Sequence, residues 1–115
     1  MTPRGRFTTQ AVQVSTTCAS RKEADRIAGA AVSERLAACA QVQGPISSTF
    51  RWQGKIETSV EWYCHLKTTV ARLTELETRI KSLHSYEVPE IIALPILGGS
   101  TAYLRWIEQQ VSVEQ

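Results

Sequence analysis

Apolar and polar side chains alternate from Ala11 to Thr17, and β-branched residues are frequent there, which predicts a first strand with Val12, Val14 and Thr16 on one face. Ser20 then stands as an N-cap with Glu23 three residues on, the spacing of a capping box. Ala24, Ile27, Ala28, Ala31, Val32 and Leu36 follow at helical intervals, a stripe of mostly small residues that lets the helix approach a sheet closely. From Cys39 to Trp52 the chain returns to strand periodicity, broken at Gly44-Pro45, where a bulge or an edge position is expected. Ile46, Ser48, Phe50 and Trp52 share one face of it. Gln53-Gly54 marks a tight hairpin turn, and the next strand, Lys55 to Thr68, alternates regularly. Ile56, Val60, Trp62, Cys64 and Leu66 lie on one side; Glu57, Ser59, Glu61, Tyr63, His65 and Lys67 lie on the other.

A second amphipathic helix is marked by Leu73, Leu76, Ile80 and Leu83, and His84 closes it. Glu90 to Ile96 predicts a last strand buried on both faces, with Pro95 near its end or on an edge. After Gly98-Gly99, Ser100 caps a third helix that turns Tyr103, Trp106, Ile107 and Val111 toward the body. The order is β-α-β-β-α-β plus a C-terminal helix: an α+β, ferredoxin-like fold with helices on one face of an antiparallel sheet. Each arm of the central hairpin is roughly 45 Å long when extended, whereas a globule of this chain length is about 35 Å across. The hairpin therefore overhangs its own subunit, and a partner chain is expected to cover its edges and its aromatic residues Phe50, Trp52 and Trp62.

Composition narrows the classes. A chain of 115 residues accommodates one domain, read here as residues 11–112, with a short flexible tail over 1–10 and a C-terminal end at 113–115. The 13 basic and 11 acidic side chains are interspersed and leave a net charge of only +2, so nucleic acid is not an expected partner. No apolar run is long enough for a membrane span. Arg4 and Arg6 are followed by no apolar stretch of the secretory type, and Cys18, Cys39 and Cys64 are an odd number in no CxxC spacing. Free thiols and a cytoplasmic location are the expectation.

Chemistry-bearing side chains are few. His84, at a helix C-terminus with Glu87 and Glu90 in the following loop, serves either as a cap on the last carbonyls or as part of a nitrogen-and-oxygen metal site. His65 is expected to hydrogen-bond across strands inside an assembly, and Cys39 and Cys64 to be buried. Cys18, between a strand end and a helix N-terminus, is the one thiol whose pKa is a candidate for lowering. Tyr86, Tyr103 and Trp106 with Lys67 are assigned to a cleft between subunits, the default ligand site. No phosphate loop, nucleophile elbow, zinc signature or catalytic carboxylate pair is present, so the chain is read as a non-enzyme; Cys18 with His84 is the one candidate nucleophile pair.

Four segments, Glu34-Arg35-Leu36-Ala37-Ala38-Cys39-Ala40, Trp52-Gln53-Gly54-Lys55-Ile56-Glu57, Leu66-Lys67-Thr68, and the run from His84-Ser85-Tyr86-Glu87-Val88-Pro89 to Pro95, together resemble the CutA family of divalent-cation tolerance proteins. Tyr103-Leu104-Arg105-Trp106-Ile107 is similar to the family's C-terminal helix. The resemblance implies a homotrimer like that of PII-type signalling proteins, a role in metal tolerance, and copper binding. A Cu(II) or other divalent-cation site at His84, with Cys18, Glu87 and Glu90, is the corresponding expectation, because imidazole and thiolate suit copper. The alternative is a PII-like trimeric sensor taking a small anion or nucleotide in the intersubunit cleft. Three departures stand out: Ser85 and Ala19 replace prolines common in the family, which is expected to loosen both loops, and Thr16 replaces a metal-associated cysteine, leaving Cys18 as its stand-in.

Overall fold

The computed structural model describes residues 10–112, and the expected tail and C-terminal end fall largely outside them. Eight elements follow in order: β1 (Ala11–Cys18), α1 (Arg21–Ser33), β2 (Cys39–Trp52), β3 (Lys55–Thr69), a single 3-10 turn (Val70–Arg72), α2 (Leu73–Leu83), β4 (Ile91–Pro95) and α3 (Thr101–Val111). The four strands form one sheet in the order β2-β3-β1-β4, every pair antiparallel. This is the ferredoxin-like α+β arrangement.

Local chemistry sets the element ends. Ser20 Oγ accepts the Glu23 N–H at 3.1 Å and Ser100 Oγ accepts the Tyr103 N–H at 3.3 Å, each satisfying a donor that the first turn of a helix leaves over. The pairing of β2 with β3 slips between Gln43 and Ile46, where the Gly44-Pro45 peptide is cis. Gly44 is required there: a Cβ would stand 2.5 Å from Cδ1 of Trp62, whose ring covers it. At the hairpin tip, Gln53 and Gly54 both have positive φ (51° and 80°), which gives a two-residue turn the twist of its strands.

Val12, Val14, Cys18, Cys64 and Leu66 meet Ala24, Ile27, Ala31, Leu76 and Ile80 of α1 and α2 in the main core. A smaller cluster of Ala11, Ala38, Ile107 and Val111 seats α3 at the Ala11 end of the sheet. The other sheet face carries no helix of α1 and α2, and two strands are bare at an edge. The reading of the last strand as buried on both faces is corrected: β4 is an edge strand, and Ile92 and Leu94, paired with Ser15 and Gln13 on the face that α1 and α2 leave uncovered, are about half exposed. Val32 is also exposed, one position off the packed stripe of α1.

The hairpin departs from the body. The principal extents are 54 × 29 × 21 Å and the radius of gyration is 15.5 Å, against about 13 Å for a compact chain of 100 residues. Phe50, Trp52, Ile56 and Val60 are exposed along it.

Candidate functional site

Where the hairpin leaves the body, the loop after α2 folds across the sheet and builds a buried polar knot. The Glu23 carboxylate, 95% buried, does not complete a capping box at its own helix. It accepts the backbone N–H and the hydroxyl of Ser85, the latter at 3.0 Å. Ser85 therefore ties the loop down through two donors, and the expectation that its replacing proline would loosen the loop is corrected.

The next link is His84, whose side chain is fully buried. Its Nδ1 accepts the Tyr86 N–H at 3.2 Å, so Nε2 carries the ring proton and donates to Thr16 Oγ1 at 3.0 Å. Both nitrogens are committed, and the ring neither caps helix carbonyls nor holds a lone pair for a metal. Cys18 is fully buried, and its thiol is pushed up to about 12 by burial, with the Glu23 and Glu61 charges adding and Arg26 opposing. The expected lowering is thus reversed, because burial in the core, followed by the charges of Glu23 and Glu61, disfavours the thiolate. Glu87 and Glu90 stay at the surface of the loop. Among the described residues no group of three or more His, Cys, Asp and Glu is arranged to hold a metal ion, so the donor set does not fit the implied Cu(II). The Cys18–His84 nucleophile pair does not form either, since Thr16 and Tyr86 occupy the ring.

Tyr86 closes the knot by donating its hydroxyl to Glu61 Oε2 at 2.6 Å. Burial, that hydrogen bond and the charges of Glu61, Glu23 and Cys18 all hold the phenol proton above its ordinary value. Glu61 is 8% exposed, although its place in an overhanging hairpin reads as a solvated or simply paired position. Only the alternation, which puts it on the face beneath the loop, hinted at this.

Beyond the knot a groove of about 1030 Å³ runs along the hairpin, walled by Phe50, Trp52, Glu57 and Glu61 on the strands and by Tyr86, Glu87 and Glu90 on the loop. Phe50 and Trp52 share this face with Glu57 and Lys55, their cross-strand partners. Trp62 points to the opposite face, packed at the margin of the main core, so the three aromatic residues expected at one interface divide between two faces.

The other expected cleft residues sit six positions further along β3. Lys67 Nζ donates to Gln41 Oε1 at 2.6 Å, and Tyr103 stacks on Trp106 with ring centroids 5.4 Å apart while its hydroxyl meets Cys39 Sγ at 3.4 Å. Within one chain Tyr86 is thus roughly 20 Å of strand away from Lys67, Tyr103 and Trp106. Between the two groups lies His65. Its Nε2 donates to Gln43 Oε1 at 3.0 Å, Nδ1 accepts from Ser15 Oγ at 2.8 Å, and Tyr63 stacks at 4.8 Å. Burial first and the Lys67 charge second depress its pKa, with Glu90 opposing.

A four-stranded antiparallel sheet with helices on one face, a bulged long hairpin and a loop locked by His84 and Tyr86 define a ferredoxin-like α+β protein with an extended arm. The chain belongs to the family described as CutA1 divalent ion tolerance protein, whose model matches residues 12–110. The divalent-cation tolerance protein CutA of Thermus thermophilus is 43% identical over 81% of this chain and 90% of its own length. Rice CutA 1, called chloroplastic, is 39% identical over 88% of this chain; the chain spans 57% of that protein, and 52% of the human CutA protein. Crystalline CutA from Xylella fastidiosa superposes with a TM-score of 0.88 at 36% identity, covering 90% of this chain and 100% of that one. The family description and the name of the Thermus relative both refer to divalent-ion tolerance and to no catalysed reaction.

Proposed function

We propose that the chain acts in divalent-cation tolerance as the non-catalytic subunit of a cytoplasmic homotrimer. The observation that carries this is the overhanging hairpin: Phe50 and Trp52 are exposed on one of its faces and Ile56 and Val60 on the other, while β4 and β2 leave two unpaired edges. An isolated two-stranded ribbon is marginal in water, and bare edges invite pairing, so a second and third copy supply what the chain lacks. Closed cyclic symmetry gives each edge a partner without leaving a growing end. Three free cysteines, two of them fully buried, favour a reducing compartment. The partners in this reading are other copies of the chain and cations, not nucleic acid or membrane; no helix among the described residues is long and apolar enough to cross a bilayer.

Copper is left without a built site in this reading, since His84 and Cys18 are committed elsewhere and no three potential ligands converge among the described residues. The PII-like sensor is the second reading, and it has one lysine, Lys67, to offer an anion at the cleft. Sedimentation at micromolar concentration tests the assembly: a mass of three 12.8 kDa subunits is expected, and Trp52→Ala should lower it or make melting depend on protein concentration. A parent protein that sediments as a clean monomer overturns the proposal.

A further inference from the structure

His84 is held by one partner that can reverse its role and one that cannot. The Thr16 hydroxyl at Nε2 both donates and accepts, whereas the partner of Nδ1 is the backbone N–H of Tyr86, which only donates. The second bond therefore exists only while Nδ1 keeps its lone pair. An added proton takes that lone pair and sets two N–H groups against each other at 3.2 Å, around a ring wholly removed from solvent. A buried donor left unpaired in this way is costly.

A new partner stands close by. Oε2 of Glu23 lies 3.6 Å from the same Nδ1, just outside hydrogen-bond reach, and a small turn of the ring closes the gap. No lysine or arginine among the described residues pairs with that carboxylate, whose donors are the N–H and hydroxyl of Ser85. A charge-assisted bond from an imidazolium to it is stronger than the neutral bond given up at Tyr86. The other charged and titratable groups around the ring come from each element packed there. Arg26 of α1 donates from Nη2 to the Leu83 carbonyl at 3.5 Å, Cys18 closes β1, Glu61 stands on β3, and the Tyr86 ring is tilted against the imidazole at 5.0 Å. On α2, Lys81 is turned to solvent in a pair with Glu77. Burial and the neighbouring carboxylates hold both the Cys18 thiol and the Tyr86 phenol above their ordinary values, so neither changes charge in mild acid. An imidazole is the side chain that ordinarily does so, between about pH 5 and 8.

We infer that the segment from Ser85 to Glu90 is an acid-released latch: a proton taken from solvent at Nδ1 of His84 turns that nitrogen from the Tyr86 amide to the Glu23 carboxylate, and the Tyr86 segment comes free of the sheet. Release withdraws the Tyr86 hydroxyl from Glu61, the bond by which this loop holds β3. The bond at Nε2 survives, since Nε2 still donates to Thr16, so the ring stays in place while its neighbour leaves. Every part of the latch belongs to one chain, so it goes beyond the assembly reading and does not depend on it.

Amide hydrogen exchange and nitrogen NMR of the full chain test it, in a His65→Gln background that leaves His84 as the one histidine of the sequence. Protection is compared at about pH 7.5 and about pH 5.5, each against the unstructured-chain exchange rate at that pH and against Leu66 in the body of β3. Tyr86 protection should fall at least about tenfold relative to Leu66, over the same pH range in which Nδ1 changes from acceptor to N–H. His84→Asn, whose Oδ1 accepts the Tyr86 N–H and takes no proton, should keep Tyr86 equally protected at both pH values. Glu23→Gln, which keeps an acceptor for Ser85 without the charge, should need more acid for the same release and remains readable if His84→Asn fails to fold. Loss of Tyr86 protection while Nδ1 stays unprotonated, protonation with Tyr86 still protected, or an equal acid-induced loss in His84→Asn overturns the inference.

Discussion

The two ends of β3 have the same alternating pattern and opposite fates. From Cys64 to Thr68, every second side chain is sealed beneath α1 and α2: Cys64, Leu66 and Thr68 are fully buried. From Lys55 to Val60 the same rhythm leaves Ile56 and Val60 more than half exposed. Periodicity states which residues share a face, but what covers that face depends on elements elsewhere. For the body the cover is the chain's own helices, and for the hairpin we place it on another copy. The polar knot of Glu23, His84, Ser85, Tyr86 and Glu61 lies where the two regimes meet and ties the loop after α2 to β3.

The largest expected contrast is between truncations at the two ends. Leu66→Ala should destabilise the protein by about 2–5 kcal/mol, because it removes a buried side chain and leaves a cavity. Ile56→Ala should cost far less at protein concentrations where the subunits are apart, and more where they associate. Denaturant melts of both variants at two protein concentrations check this; equal costs at both ends would erase the distinction.

Next in size is the junction. Ser85→Ala deletes the hydroxyl donor to the buried Glu23 carboxylate while keeping the backbone bond, and about 1 kcal/mol of stability should go with it. Because Ser85 also carries the loop that holds Tyr86, its loss should raise hydrogen exchange at Tyr86. A variant with unchanged stability and unchanged exchange would show that the hydroxyl bond contributes nothing.

Much of this frame was legible in the chain. Ser20 and Ser100 signalled helix starts, Gly44-Pro45 the slip in β2, Gln53-Gly54 the hairpin tip, and the length of the two arms the overhang. The site was less so. Glu23 stands at a capping-box position, yet its carboxylate is claimed by Ser85, 62 residues away; Glu61 looks like one more hairpin acid until Tyr86 is laid over it. His84 has the spacing of a helix cap and the neighbours of a metal ligand, and takes neither role because Thr16 and Tyr86 fill both ring nitrogens. Local propensity governs turns and caps, while these assignments depend on which distant groups the fold brings within hydrogen-bond reach.

The smallest expected effect is a pH dependence on the open face. His65 has a folded-state pKa below its ordinary value of about 6.5. Below that value the unfolded chain takes up a proton that the folded one resists, so stability present above about pH 6.5 should decline as pH falls through it. His65→Gln should flatten the decline between neutral and mildly acidic pH, read from melting temperature. A steeper decline in the variant would reverse the sign assigned to the site.

The comparison between the ends of β3 is tested most directly by amide hydrogen exchange along that strand at micromolar protein concentration. An assembled hairpin predicts slow exchange in the Lys55–Ser59 segment, approaching that of Cys64–Thr68, with protection that falls on dilution as subunits separate. Fast exchange in the Lys55–Ser59 segment at every concentration, beside a protected Cys64–Thr68 segment, would mean that nothing covers the arm and would contradict the account.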